Sequence, residues 1–356
     1  MRRVILAMAV AFVLGNAVPA AADVTPPPIK HVFVIVLENK GYAETFGPGS
    51  QAPYLSTQLT AQGQLLTQYY GIGHQSLDNY IAMVSGQAPN VQTQSDCQIF
   101  TDVAPGTAGA GGQAIGQGCV YPSWVPTISN QLAAKGLTWK GYMEDMGTNC
   151  RHPAIGQRDD TQTARVGDQY AARHNPFVYF HSLLDSGACA SNDVPLDQLT
   201  TDLGTAATTP SYSFITPNLC HDGHDSPCVD GEPGGLQSAD AFLQTWVPRI
   251  EASPAYAEGG MIVIGFDEAE SSDASACCGE QPGPNTVNPG GETPGPGGGR
   301  TGAVLIGQHI QPGSTNKNAY NHYSLLRSLE NVFGLTHLGY ANQSGMKAFG
   351  NDVYSR

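Results

Sequence analysis

Two apolar runs at opposite ends of the sequence constrain this chain most. His31-Val32-Phe33-Val34-Ile35-Val36-Leu37 stops at Glu38-Asn39, and Gly260-Met261-Ile262-Val263-Ile264-Gly265-Phe266 stops at Asp267-Glu268. An apolar, β-branched run of this length reads as a strand covered on both faces of a sheet. In open α/β sheets the functional groups sit just beyond the carboxyl ends of such strands. Each of these strands delivers acidic or amide ligands at that end. Burying several carboxylates together is costly unless protons or a cation neutralise them. The economical reading is a site for a divalent metal ion.

The first residues read as a processing signal. Arg2-Arg3 form a basic start, Val4 to Leu14 an apolar stretch that stops near Gly15-Asn16, and Ala20-Ala21-Ala22 a small-residue cleavage site before Asp23. The expected organisation is a signal peptide over 1–22 and a single catalytic domain over 23–356, secreted to the extracellular or periplasmic side. The formal net charge is −14, and −16 without Arg2 and Arg3. That balance disfavours nucleic acid and anionic membrane surfaces as partners. It leaves an anionic substrate open, because a metal inverts the local field. No later run is long enough for stable membrane insertion. Nothing points to an oligomer, and a monomer is the default expectation.

Eight cysteines in an exported chain favour disulfides over a thiolate metal site, since no CxxC pair occurs. Proximity suggests Cys97–Cys119 and Cys220–Cys228. The adjacent Cys277 and Cys278 are expected to take different partners.

Strands are expected at 65–70, 138–144, 211–216 and 304–307, and helices at 53–63, 76–85, 127–135, 239–250 and 324–333. Residues 103–118 read as a surface loop, 147–193 as irregular, and the Gly/Pro-rich stretch 279–299 as a flexible excursion. The alternation predicts an α/β fold, a mostly parallel central sheet covered by helices on both faces.

Five segments carry candidate chemistry, and each has a plain structural alternative. Glu38-Asn39 is either a metal ligand with its polar partner or a solvated strand end. In Gly73-His74-Gln75-Ser76-Leu77-Asp78-Asn79-Tyr80, the serine at a helix start is either an N-cap or a nucleophile favoured by the positive end of the helix dipole. Pro217-Asn218-Leu219-Cys220-His221-Asp222-Gly223-His224-Asp225 concentrates His and Asp at ligand-like spacing, or is a loop tied by its cysteines. Asp267-Glu268 repeats the first motif. His322 stands just before a helix.

Taken together and in this order, VFVIVLENKGY, GHQSLDNYIAMVSG, TPNLCHDGHD, VIGFDEAE and NHYSLLRSLENVFGL resemble the bacterial phosphoesterase family of secreted acid phosphatases, phosphatidylinositol-3-phosphatases and phospholipases C, within the alkaline phosphatase superfamily. The resemblance runs from about His31 to Gly334. It implies an alkaline phosphatase-like fold, with Glu38, Asn39, Asp267 and Glu268 around a metal and Ser76 as nucleophile. It also implies that His221, Asp222, His224 and His322 bind a second metal or the phosphate, or supply protons. The resulting assignment gives catalysis to Ser76, His221 and His224. The substrate falls to Asn39, His74, Asn79 and His322, and divalent metal to Glu38, Asn39, Asp222, Asp267 and Glu268. Departures from the pattern are Ser76 where many relatives carry Thr, Asp267-Glu268 where many carry Asp-His or Asp-Asp, and Asn218 where some carry an acid. The implied activity is hydrolysis of a phosphomonoester, on a phosphorylated small molecule or lipid head group, through a phosphoserine. A phospholipase C-type diesterase is the alternative on the same scaffold, and a non-catalytic metal-binding module is the reading from another class.

Overall fold

The computed structural model describes residues 23–291 and 293–355. The signal expected over 1–22 lies outside the described residues. A mixed sheet of eight strands forms the centre, in the order β10-β2-β9-β8-β1-β7-β5-β6. The strands are β1 (His31–Leu37), β2 (Gln64–Tyr70), β5 (Trp139–Met143), β6 (Asp193–Pro195), β7 (Tyr212–Thr216), β8 (Gly260–Phe266), β9 (Ala303–Gly307) and β10 (Ser314–Asn321). β3 (Ala104–Ala108) and β4 (Ala114–Gln117) pair apart from the sheet. Neighbours are parallel except β9, which runs against both β2 and β8.

The continuous apolarity of β1 has the expected consequence. Val32, Val34 and Val36 point to one face of the sheet and Phe33, Ile35 and Leu37 to the other, and all six are buried. On the first face lie the Ser76–Ser85 helix, with Leu77, Tyr80 and Ile81, and the His322–Phe333 helix, with Leu325, Leu326 and Leu329. On the second lies the Gly235–Glu251 helix, with Leu236, Leu243, Val247 and Ile250. Its partner is a π-helical turn, Tyr54–Leu59, where the sequence suggests a plain helix. Among the described residues no helix is long and apolar enough to cross a membrane.

Several elements differ from the sequence reading. The stretch 103–118 is a two-stranded hairpin rather than a loop. β10 and β6 are absent from the sequence reading because β10 is polar along its exposed positions and β6 is only three residues long. The irregular stretch 147–193 contains the short helices His181–Leu184 and Ala188–Asn192. Cys277 and Cys278 pair with each other, alongside Cys97–Cys119, Cys150–Cys189 and Cys220–Cys228. The described residues of the stretch 279–299 have no regular structure, yet they are fastened to the body. The Gly298 amide donates to Gly71 O, and the Gln94 side chain donates to Asn288 O. Gly298 is required there, since a methyl group on it would sit 2.3 Å from Gly73 O.

Phe214, at the middle of β7, lies edge-on to Phe177 at 5.6 Å and to Tyr80 at 6.0 Å with no exposure. Phe214→Ala is expected to cost about 3–5 kcal/mol of stability, read by chemical denaturation. A loss below about 1 kcal/mol would show that this face collapses around the void.

Candidate active site

Register brings the acids together. In the parallel pair β1–β8, Leu37 lies opposite Phe266, so Glu38 and Asp267 leave the sheet side by side. The Asp267 amide donates to Leu37 O at 2.9 Å, and the Asn39 amide donates to Asp267 Oδ1 at 2.9 Å. On the other side of β1, the Glu38 amide donates to Asp222 O at 2.8 Å, which docks the loop after β7 against the same strand end. Asn39 takes a left-handed backbone, φ 53°, and its amide group donates to Glu268 Oε1 at 2.8 Å. Asn is among the few residues that take this turn readily.

The Ser76–Ser85 helix starts at this cluster. Ser76 Oγ donates to Glu38 Oε2 at 2.9 Å, and Tyr80, one turn later, donates its hydroxyl to Glu38 Oε1. Asn79 braces the approach. Its Oδ1 accepts from the Ile72 and Gly73 amides, and its Nδ2 donates to Gly73 O and Gln75 O. It is a scaffold for the Gly71–Gln75 loop and does not line the cleft. The Leu77 amide, beside Ser76, is occupied by Asp96 Oδ1 at 3.0 Å.

Glu38, Asp222 and Asp267 have no exposure, and Glu268 and Ser76 are 4% exposed. Burial raises all four acids, with the carboxylates around Glu38 raising it further; Asp267 is pushed up to about 6 and Asp222 to about 7. Asn39 Oδ1, Asp222 Oδ2 and Asp267 Oδ2 are buried without a hydrogen-bond donor among the described residues. An oxygen-rich pocket with unsatisfied acceptors is the donor set of a hard divalent cation. The donor chemistry of Glu38, Asn39, Asp267 and Glu268 suits such an ion, while among the described residues no three of the acids bring carboxylate oxygens within 4.8 Å of one another.

The sequence reading did not find His174. It stacks on Tyr80, with ring centres 5.4 Å apart, and stands 3.4 Å from both Glu38 Oε2 and Asp222 Oδ2. Burial lowers its pKa well below the ordinary value, so it is a neutral ring wedged between acids. It comes from a 3₁₀ turn, Ala172–His174, inside the stretch that carries no strand or helix pattern. Its only signal is an adjacent basic pair, Arg173-His174.

A cleft of about 410 Å³ opens over Ser76, lined also by Asn39, His74, Asp96, Arg173, His224 and Glu268. His74 Nδ1 lies 3.0 Å from Glu268 Oε2, and its Nε2 lies 2.8 Å from Asp273 O. His224 Nδ1 pairs with Asp225 at 2.8 Å, which raises its pKa. Two of the expected histidines stand elsewhere. His322 is 1% exposed behind the strand end, with Nε2 at 2.5 Å from Asp267 O and Nδ1 at 3.0 Å from the Tyr69 hydroxyl. Burial lowers it to about 4, and it supports the acid-bearing strand rather than lining the cleft. His221 points away into a separate pocket, with Nδ1 at 3.0 Å from Glu144 and Nε2 at 3.5 Å from Glu232. The turn at Asn218 separates it from Asp222, because Asn218 Oδ1 accepts from the amides of Cys220 and His221.

A covered α/β sheet with a buried serine and buried acids at its carboxyl edge is the frame of this site. The chain belongs to the Phosphoesterase family, whose sequence model matches residues 48–336. It is 26% identical over 318 residues to a phosphatidylinositol-3-phosphatase of Mycobacterium tuberculosis, covering 89% of this chain and 81% of that protein. It is 24% identical to a probable acid phosphatase of Kluyveromyces lactis and 25% identical to a phosphate-repressible acid phosphatase of Penicillium chrysogenum, covering 89% and 83% of this chain. The chain spans 61% and 57% of the lengths of those two fungal proteins. A Vibrio parahaemolyticus protein of the alkaline phosphatase superfamily superposes with a TM-score of 0.51 at 13% identity, over 87% of this chain and 67% of its own. That likeness establishes the fold.

The geometry of His221 yields a test. The Glu144 hydrogen bond raises its pKa to about 9, above the ordinary value. A raised pKa stabilises the fold fully below about pH 6.5, and the contribution disappears as pH rises through the folded value. His221→Gln is therefore expected to lower the unfolding midpoint at about pH 6, to be neutral at about pH 10, and to keep turnover within about threefold. A large loss of turnover with the midpoint intact would return His221 to the catalytic set.

Proposed function

We propose that this chain is a secreted phosphomonoesterase that uses Ser76 as its nucleophile and passes through a phosphoserine. The observation that carries the reading is the hydrogen bond from Ser76 Oγ to the buried Glu38 at a helix start, among acceptors that no donor satisfies. Glu38, Asn39, Asp267 and Glu268 would hold a divalent cation, which when bound would supply positive charge for the phosphate and make the serine hydroxyl more acidic. His221 is left out of the mechanism because it faces another pocket.

Substrate phosphate enters the cleft with phosphorus in line with Ser76 Oγ. The serine proton passes to Glu38 Oε2, the Oγ–P bond forms, and the bond from phosphorus to the leaving oxygen breaks. His224 Nε2 protonates that oxygen. Its raised pKa keeps the proton available in mildly acidic solution, and its Nδ1 is already held by Asp225. In the second step the neutral His224 takes a proton from water, the water oxygen bonds to phosphorus, the Oγ–P bond breaks, and Glu38 returns its proton to Oγ. Asn39 orients the phosphate, His74 holds Glu268 in place from the cleft wall, and His174 packs between the Glu38 and Asp222 carboxyls. Tyr80 and Asn79 keep the serine aimed at the cleft. Electrostatic positioning of this kind is most of the work in phosphoryl transfer.

The named activities of the relatives above favour a monoester over a diester. The Mycobacterium tuberculosis relative is named for a phosphorylated lipid head group, so such head groups belong among the candidate substrates.

Wild type and Ser76→Ala would be compared on p-nitrophenyl phosphate and p-nitrophenyl phosphorylcholine. The expectation is monoester turnover that falls by about a thousandfold or more in the variant. Serine-dependent turnover of the diester instead would make the enzyme a phospholipase C-type hydrolase. Near-wild-type turnover in Ser76→Ala would remove the nucleophile assignment.

Dialysis against a chelator is a separate test of the acid cluster. Activity is expected to vanish and to return with added divalent metal, and Asp267→Asn is expected to weaken metal affinity by about tenfold or more. Full activity after exhaustive chelation would show that the buried acids are neutralised by protons alone.

A further inference from the structure

The Ala172–His174 turn delivers two neighbouring side chains to different places. His174 goes inward to the buried acids, while Arg173 lies along the wall of the cleft. Arg173 is the one Lys or Arg among the described residues that line it. The side chain is 7% exposed, so its stem is buried and its direction is fixed. Nη1 donates to the backbone oxygen of Gln162 at 3.0 Å, and Nε lies 3.7 Å from Asp96 Oδ2. A guanidinium has five N–H groups in a planar fork. These contacts involve Nη1 and Nε, and the Nη2 group has no hydrogen-bond partner among the described residues.

Asp96 decides what that fork reaches. Its Oδ1 is held by the Leu77 amide next to Ser76, and its Oδ2 faces Arg173. A fixed carboxylate therefore stands between the guanidinium and the serine. The phosphate under attack sits on the serine side, with Asn39. Arg173 lines the cleft on the far side of Asp96, with Nη1 on the backbone oxygen of Gln162. Asp96 and Glu268 are the acids that line the cleft in a strongly acidic protein, so the guanidinium N–H groups left over from Gln162 and Asp96 are a local recognition element for a second negative charge.

We propose that Arg173 is a specificity residue that grips a second anionic group, carboxylate or phosphate, on the substrate of the phosphomonoesterase proposed above. The preferred substrates are phosphomonoesters that carry another anion a few bonds from the scissile phosphate. The proposal rests on that activity and adds its substrate class.

Matched pairs of esters provide the test. Purified wild type, Arg173→Ala and Arg173→Lys would be assayed for phosphate release from 3-phosphoglycerate against glycerol 3-phosphate, and from fructose 1,6-bisphosphate against fructose 6-phosphate. The first pair asks about a carboxylate and the second about a phosphate. Wild type is expected to favour the doubly anionic member by about tenfold in kcat/KM, mostly through KM. Arg173→Ala is expected to bring the ratio close to one. Arg173→Lys keeps the charge and loses the fork, so it should retain part of the preference. It also carries the test if the alanine variant does not fold. A preference that survives in both variants, or an equal fall in kcat on both members of each pair, would overturn the proposal. The latter result would put Arg173 on the transferring phosphate. Absence of turnover on all four esters with divalent metal supplied would overturn the phosphomonoesterase reading and this proposal with it. Turnover without discrimination in wild type would overturn the Arg173 proposal alone.

Discussion

The rest of the site depends on two carboxylates that the sheet forces to be neighbours. The parallel register of β1 against β8 sets Leu37 beside Phe266, and the next residue on each strand is an acid. Both strands are buried on both faces, so neither side chain can turn to solvent. Every other feature of the site answers this arrangement. Asn39 bends back to hold Asp267 and Glu268, and Tyr80 and Ser76 satisfy the two oxygens of Glu38. His174 fills the gap toward Asp222. Asn39 Oδ1, Asp222 Oδ2 and Asp267 Oδ2 remain buried without a donor among the described residues, and their negative potential is what the proposed cation would offset.

That arrangement also explains the division of labour among the histidines. His322 stands behind the strand end, buried enough to stay neutral, and its contact with the backbone of Asp267 fixes where the acid emerges. His224 stands at the mouth, partly exposed and paired with Asp225, where a proton can be exchanged with solvent and substrate. His221 is two residues after Leu219 in the same loop and ends up in an ion pair with Glu144 and Glu232. Side chains three residues apart in a tight loop face different ways, and sequence spacing alone cannot assign them.

Much of the fold was legible because strands that are buried on both faces leave an unmistakable apolar run. β1, β7, β8 and β9 and the helices at Ser76, Gly235 and His322 all follow from such patterns, as do Glu38, Asn39, Ser76, Asp267 and Glu268 at their ends. What stayed hidden lacks a pattern of its own. β10 is a polar edge strand, and its partner β2 supplies the information that makes it a strand. His174, Arg173 and Asp96 sit on turns whose conformations are set by tertiary contacts, so neither period nor composition marks them. The pairing of Cys277 with Cys278 could not be inferred by counting cysteines, since adjacency argues for separate partners until the loop between β8 and β9 is in place.

The strand order carries a consequence for how the chain reaches this state. β1 pairs only with β7 and β8, and β2 only with β9 and β10, so His31 waits for Gly260 and Gln64 for Ser314. Contacts of such long range make folding slow, because loop closure precedes any gain from pairing. The covalent links are the reverse, closing intervals of 22, 39, 8 and 1 residues. Oxidation can therefore staple the loops while the sheet is still open. The polypeptide remains a set of locally tied segments until its last third arrives, so the acid cluster at the sheet edge is among the last features to form.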